Sequence, residues 1–128
     1  MLLSQPAQVK RTNVCDAVDV IHGRAAEPLT VSAVARGVGV SVRALQAGFR
    51  RELGTTPKQY LQKVRLERAH EDLVRGEPRD GTTVVDVAIR WGFLHAGRFA
   101  AAHLRTYGEA PSVTLRTAPR PRVHDVGA

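Results

Sequence analysis

The chain has a single cysteine in 128 residues, which excludes an internal disulfide framework and any multi-cysteine zinc site. It has no apolar run near the ~18 to 20 residues needed to span a bilayer, so no membrane partner is expected. A secretory signal is also missing, because Met1, Leu2 and Leu3 run straight into Ser4, Gln5 and Pro6. Metal-ligand spacing is absent too. His22, His70 and His124 are scattered, and His95 and His103 have no further ligand in range. There is no nucleophile with a recognisable base and orienting acid, and no glycine-rich phosphate loop. No enzyme, cofactor or metal is therefore expected. Acidic residues are also in deficit, with 12 Asp and Glu against 19 Lys and Arg, a net charge of +7. That balance favours an anionic partner, and the basic residues are spread among helices instead of flanking an anchor, which favours nucleic acid over a lipid surface.

What the chain does contain is an internal duplication. Residues 31–61 recur loosely at 84–115. Val34, Ala35, Gly39 and Val40 match Val87, Ala88, Gly92 and Phe93. One residue further out of register, Leu45, Arg51, Leu53, Gly54, Pro57 and Leu61 match Phe99, Arg105, Tyr107, Gly108, Pro111 and Leu115. A residue is thus inserted just after the turn of the second copy. A fixed-period echo signals one supersecondary unit used twice.

Each copy reads as helix, turn, helix. Val31, Val34, Ala35 and Val38 recur at helical spacing, Gly39 supplies the left-handed residue that ends a helix, and Ser41 stands where an N-cap belongs. A second helix is predicted over residues 42–53, with Leu45, Phe49 and Leu53 as its apolar face and Arg43, Gln46, Arg50 and Arg51 elsewhere. Two short helices joined by a glycine-containing turn describe a helix-turn-helix. Two copies on a basic background point to DNA.

The rest of the chain falls into order around these copies. Residues 1–12 read as a flexible lead or linker remnant, 13–116 as the folded double helix-turn-helix domain, and 117–128 as a disordered tail containing Pro119, Arg120, Pro121 and Arg122. Residues 13–24 form an amphipathic helix in which Cys15, beside Val14, Val18 and Ile21, is expected to be a half-buried apolar residue. The longest helix is predicted over residues 57–75, capped by Thr56, with Pro57 in its first turn, with Leu61, Val64, Leu66, Ala69 and Leu73 inward and Glu71 paired to Arg75. Residues 76–81 break it with a loop. Nineteen residues at ~1.5 Å rise span roughly 28 Å, comparable to the ~34 Å between successive major-groove openings. A monomer is therefore expected to serve two grooves. The preponderance of arginine over lysine suggests a GC-rich bacterial genome.

At residues 45–57 the chain has Leu-Gln-x-x-Phe-Arg-Arg-x-Leu-Gly-x-x-Pro, and at 87–93 Val-Ala-x-x-x-Gly-Phe. With these motifs in this order, Val31 to Leu73 and Thr83 to Leu115 resemble the DNA-binding domain of the AraC/XylS family of bacterial transcription regulators. The resemblance covers about four fifths of the chain. It implies an all-α fold of about seven helices, two helix-turn-helix subdomains joined by a long central helix. It further implies sequence-specific binding of double-stranded DNA, an asymmetric promoter site, recruitment of RNA polymerase and action in the bacterial cytoplasm at the nucleoid. Members of the family carry a separate effector-binding or dimerisation domain, which the first 12 residues are too short to supply. A helical protein-interaction module without base readout is the alternative.

Carried over from the family, base contacts fall to Arg43, Gln46 and Ala47 in the first copy, and to Ala96, Gly97, Arg98 and Ala101 in the second, with His95 beside them. Arginine can take guanine O6 and N7 together, glutamine can pair with adenine, and an alanine methyl can touch thymine. The second set is poor in polar reach, so the first copy is expected to carry most direct readout. Candidate phosphate anchors are Arg36, Ser41, Arg50, Arg51, Arg90 and Arg105, while Arg65 and Arg68 are expected in structural salt bridges. Leu104 stands where a basic residue is common. Trp91 is expected to pack between the subdomains, and His103, in the place of Phe49, to face the core.

Overall fold

The structure is a computed structural model that describes residues 12–76 and 80–117. Among the described residues there are seven α-helices and no strand: α1 (Asn13–Arg24), α2 (Val31–Val38), α3 (Val42–Leu53), α4 (Pro57–Arg75), α5 (Val84–Arg90), α6 (Ala96–Tyr107) and α7 (Pro111–Thr117). Most of the expected lead and tail, and residues 77–79 of the expected loop, lie outside the described residues. Thr12 belongs to the fold as the cap of α1, and Thr117 closes α7.

Local chemistry sets the helix ends. The hydroxyls of Thr12, Thr30, Ser41 and Thr83 accept from the amides of Cys15, Ala33, Ala44 and Asp86 at 3.0–3.1 Å, each satisfying one of the unpaired N–H groups of a first turn. At α4 the exchange is reciprocal. Thr56 accepts from the Gln59 amide at 3.1 Å while the Gln59 side chain accepts from the Thr56 amide at 3.4 Å. Gly39 and Gly92 close the first helix of each copy at φ 80° and 84°, a conformation costly for any residue with a Cβ.

The chain divides into two compact units, Met1–Gln62 and Lys63–Ala128. In the first, α1 packs on α2 and α3, and these pack on each other. Its core is Val14, Ala17 and Ile21 of α1, Val34 and Ala35 of α2, and Leu45 and Phe49 of α3. Each large side chain of this set contributes ~1.5–3 kcal/mol by leaving water. In the second unit Leu66, Ala69 and Leu73 of α4 pack with Val87 and Ala88 of α5, Phe99 of α6 and Leu115 of α7. The duplication therefore reaches further back than residue 31. Val14, Ala17 and Ile21 have the same spacing as Leu66, Ala69 and Leu73, so α1 supports the first helix pair as the later turns of α4 support the second.

Three expectations are corrected. Leu53 is 44% exposed, because α3 ends there and the chain turns at Gly54, so its core face is Leu45, Gly48 and Phe49. Cys15 is exposed, since the inward face of α1 is fixed by residues 14, 17 and 21 and Cys15 lies about 100° from Val14 around the helix. Arg75 reaches Asp72 at 2.9 Å and not Glu71, because Asp72 is already held in place by two other donors.

Candidate nucleic-acid interface

In the first unit, α2 ends at Gly39, whose N–H is directed at the carbonyls of Ala35 and Arg36, and Val40 and Ser41 lead directly into α3. Leu45, Gly48 and Phe49 face inward. Gly48 is required by the packing, since a Cβ there would stand 2.8 Å from Cγ2 of Val14. This fixes the outward side of α3, where Arg43, Gln46, Ala47, Arg50 and Arg51 are all exposed. Arg36 is exposed on α2. The lone acid of the two helices, Glu52, accepts from the Thr12 hydroxyl at 3.1 Å and lies 3.6 Å from Arg51. Arg36, Arg43 and Arg50 make no ion pair among the described residues. The result is an exposed cationic face carrying both forked donors and an amide, the groups that contact phosphates and base edges. Ser41 is exposed, but its hydroxyl is used as the α3 cap.

The second unit repeats the turn with one residue more. Trp91, Gly92, Phe93, Leu94 and His95 join α5 to α6, and the Phe93 amide bonds the Ala88 carbonyl at 2.8 Å as Val40 bonds Ala35 at 3.0 Å in the first copy. The inserted residue is Leu94, which is 85% exposed. His95 occupies the N-cap position of α6 without a side-chain capping bond. Gly97, Arg98, Ala101 and Arg105 are exposed on the side away from the buried Phe99 and His103, whereas Ala96, also exposed, stands seven residues before His103 and so on its side of the helix. The structure thus brings Arg43, Gln46 and Ala47 together on one exposed surface of the first unit, and Gly97, Arg98 and Ala101 on one of the second, with Ala96 apart from them.

Arg90 behaves differently from the other anchors. Its Nη1 lies 2.9 Å from Oδ2 of Asp72, which also accepts from Nε1 of Trp91 at 2.7 Å, while Oδ1 accepts from Arg75 at 2.9 Å. Burial works against the Asp72 charge, but the hydrogen bonds from Trp91 and Arg90 outweigh it and hold the carboxyl below its ordinary value. Trp91 therefore packs on the core of the second unit, with the Arg68 guanidinium 5.9 Å from its ring centroid. The Arg65 guanidinium lies 3.5 Å from the space a Cβ on Gly92 would take, and burial lowers its pKa.

His103 faces the core, as its place in the repeat implies, but it brings a network that sequence reasoning missed. It is fully buried, and its Nδ1 donates to the Glu109 carbonyl at 2.8 Å. Nε2 of the neutral ring is then the acceptor for Nδ1 of His70 at 3.0 Å. His70 stacks on Tyr107 at 3.7 Å, and Thr114 donates to the Glu109 carboxylate. In the first unit the same place is filled by Phe49 against Tyr60, edge to face at 5.8 Å. The available signal was the joint replacement of Phe49 by His103 and Tyr60 by Thr114 in the aligned copies. Among the described residues no group of three or more metal-ligating side chains occurs, and no helix is long and apolar enough to cross a membrane.

A family model described as a helix-turn-helix domain matches residues 34–117. The chain is 52% identical over 103 residues to a probable thc operon regulatory protein of Rhodococcus erythropolis, a match covering 80% of this chain and 31% of that protein. It is 34% identical over 100 residues to XylDLEGF operon transcriptional activator 3 of Pseudomonas putida, covering 77% of this chain and 30% of that one. A solved structure of a probable AraC family transcriptional regulator from Rhodopseudomonas palustris superposes with a TM-score of 0.76 at 34% identity, over 85% of this chain and 98% of that chain. The chain thus spans less than a third of the length of these curated relatives.

Proposed function

The chain belongs to the AraC/XylS family of transcription regulators and carries that family's DNA-binding domain, and from this membership we propose that it reads one asymmetric operator through two half-sites, one for each helix pair. In the first half-site Arg43, Gln46 and Ala47 meet base edges in the major groove. In the second, His95, Ala96, Gly97, Arg98 and Ala101 occupy the corresponding place. Arg36, Arg50, Arg51 and Arg105 anchor phosphates, with Ser41 as a contact at the start of α3, and Arg90 contributes through whichever donors Asp72 leaves it. As a single polypeptide with two readers the chain acts as a monomer. It works in the cytoplasm at the nucleoid, performs no catalysis, and regulates transcription together with RNA polymerase.

The observation that carries this reading is the unpaired cationic face of α3. Arg43 and Arg50 are exposed and make no ion pair among the described residues, while the carboxylate of Glu52 is taken by Thr12 and Arg51. An arginine face of this kind gains little inside the fold and much against a phosphate backbone. Selection from a random duplex library followed by footprinting tests it. The expected result is one preferred sequence with two protected half-sites. Equal binding of the best selected duplex and a scrambled competitor at moderate ionic strength would sink it.

A further inference from the structure

The outward faces of α3 and α6 occupy equivalent positions and have opposite chemistry. On α6, Gly97, Ala101 and Leu104 form one stripe at helical spacing, opposite the buried Phe99 and His103. Leu94, in the turn just before α6, is a further exposed apolar residue. Leu94 is 85% exposed and Leu104 52% exposed. The equivalent residues of α3 are Arg43, Ala47 and Arg50. Two guanidinium donors have thus given way to a glycine and a leucine, and the alanine between them is kept. The fold supplies no reason for either change. A Cβ on Gly97 would meet nothing within 4 Å, and Leu104 leaves half its surface in water. A glycine inside a helix costs ~1 kcal/mol relative to alanine and is useful where a backbone must come close to a ligand. Arg98 flanks the stripe with hydrogen-bonding reach into a groove, and Arg105, one of the phosphate anchors, lies on the same side seven residues on.

We infer that α6 reads its half-site through the C5 methyl groups of thymine, with Ala101 and Leu104 as the apolar contacts, Gly97 allowing the helix backbone to approach, and Arg98 supplying a polar contact beside them. This rests on the reading that α6 enters a major groove. Thymine alone among the four bases offers a methyl group there, whereas a guanine or cytosine edge offers polar groups that the stripe would leave unpaired. Discrimination has two sources, the gain at the methyl and the desolvation cost at the wrong base. The stripe ceases to be a featureless surface and becomes the specificity determinant of the second half-site.

The main comparison alters the DNA and uses the unaltered protein, so folding of a variant cannot obscure it. The full chain is bound to its selected duplex and to two versions in which deoxyuridine, which pairs like thymine but lacks the methyl, replaces thymine in one half-site at a time. The α6 half-site is identified as the one whose protection is lost in Arg98→Ala. Uridine there should weaken binding about fourfold for each methyl touched. Uridine in the other half-site should cost no more than the single methyl available to Ala47. Leu104→Ala should lose part of the penalty while binding the uridine duplex as tightly as the parent does. If two half-sites are protected and uridine changes nothing in the second, methyl readout is overturned and the stripe faces a protein partner. If selection yields no preferred sequence, the proposed function and this inference fall together.

Discussion

Protonation of His70 would place a charge in a half-buried part of the second unit. Its pKa is lowered by burial first and then by His103, while Glu109 and Glu71 pull it back up. A histidine with a folded pKa below its unfolded value binds its proton more readily when unfolded, so acid favours unfolding. Stability from neutral His70 is fully present above its ordinary 6.5 and is lost as pH falls from there through the lowered folded value. Thermal denaturation between about pH 8 and pH 5 should show the transition of the second unit moving down with acid. His103→Phe, which copies Phe49, should flatten that dependence. It should also lower neutral-pH stability by ~1–3 kcal/mol, because the His70 N–H and the Glu109 carbonyl lose their partners. A stabilised His103→Phe would show that ring burial outweighs the two hydrogen bonds. On the DNA side, Arg43→Ala should cost ~1–3 kcal/mol on the selected site and relax preference at one base pair, measured by titration against a panel of single-base variants.

At the scale of helices, the placement of α3 depends on its close approach to α1. Gly48→Ala would put a methyl 2.8 Å from Val14 Cγ2, so the two helices must separate. A loss of ~1–3 kcal/mol is expected in denaturant titration, with weaker DNA binding although no contact residue is touched. A fully tolerated Gly48→Ala would contradict the packing described. Asp72→Ala should free Trp91 and Arg90 together, red-shifting the emission of the single tryptophan and destabilising the turn between α5 and α6. The sequence revealed the helix ends and both turns because these depend on neighbours within a few residues: Thr30 and Thr83 as caps, Gly39 and Gly92 as left-handed stops. It did not reveal Asp72 or the imidazole pair. Arg90 and Trp91 lie 18 and 19 positions from Asp72, and His70 lies 33 from His103, so no periodicity brings them together. The exposed sides of α3 and α6 were legible from the repeat, and the engagement of Arg90 by Asp72 was not.

For the molecule as a whole, a net charge of +7, with Arg36, Arg43 and Arg50 making no ion pair among the described residues, makes binding an exchange of counterions for side chains. Affinity should fall linearly on a log-log plot against salt. Arg50→Ala should shallow that slope by about one unit and weaken selected and scrambled duplexes alike. A slope unchanged in Arg50→Ala would remove it from the phosphate anchors. The duplication of the whole block, scaffold helix included, has a further consequence through the polar centre of the second unit. Phe49 and His103 are structural equivalents, yet crossing to the other's state in a single step carries a cost. A histidine at 49 would meet Tyr60, whose hydroxyl is already engaged by His22 at 2.9 Å, and a phenylalanine at 103 strands two polar groups. The two halves are thereby set on separate evolutionary tracks, each free to diverge on its surface, while an exchange of interiors costs least as a concerted set of changes.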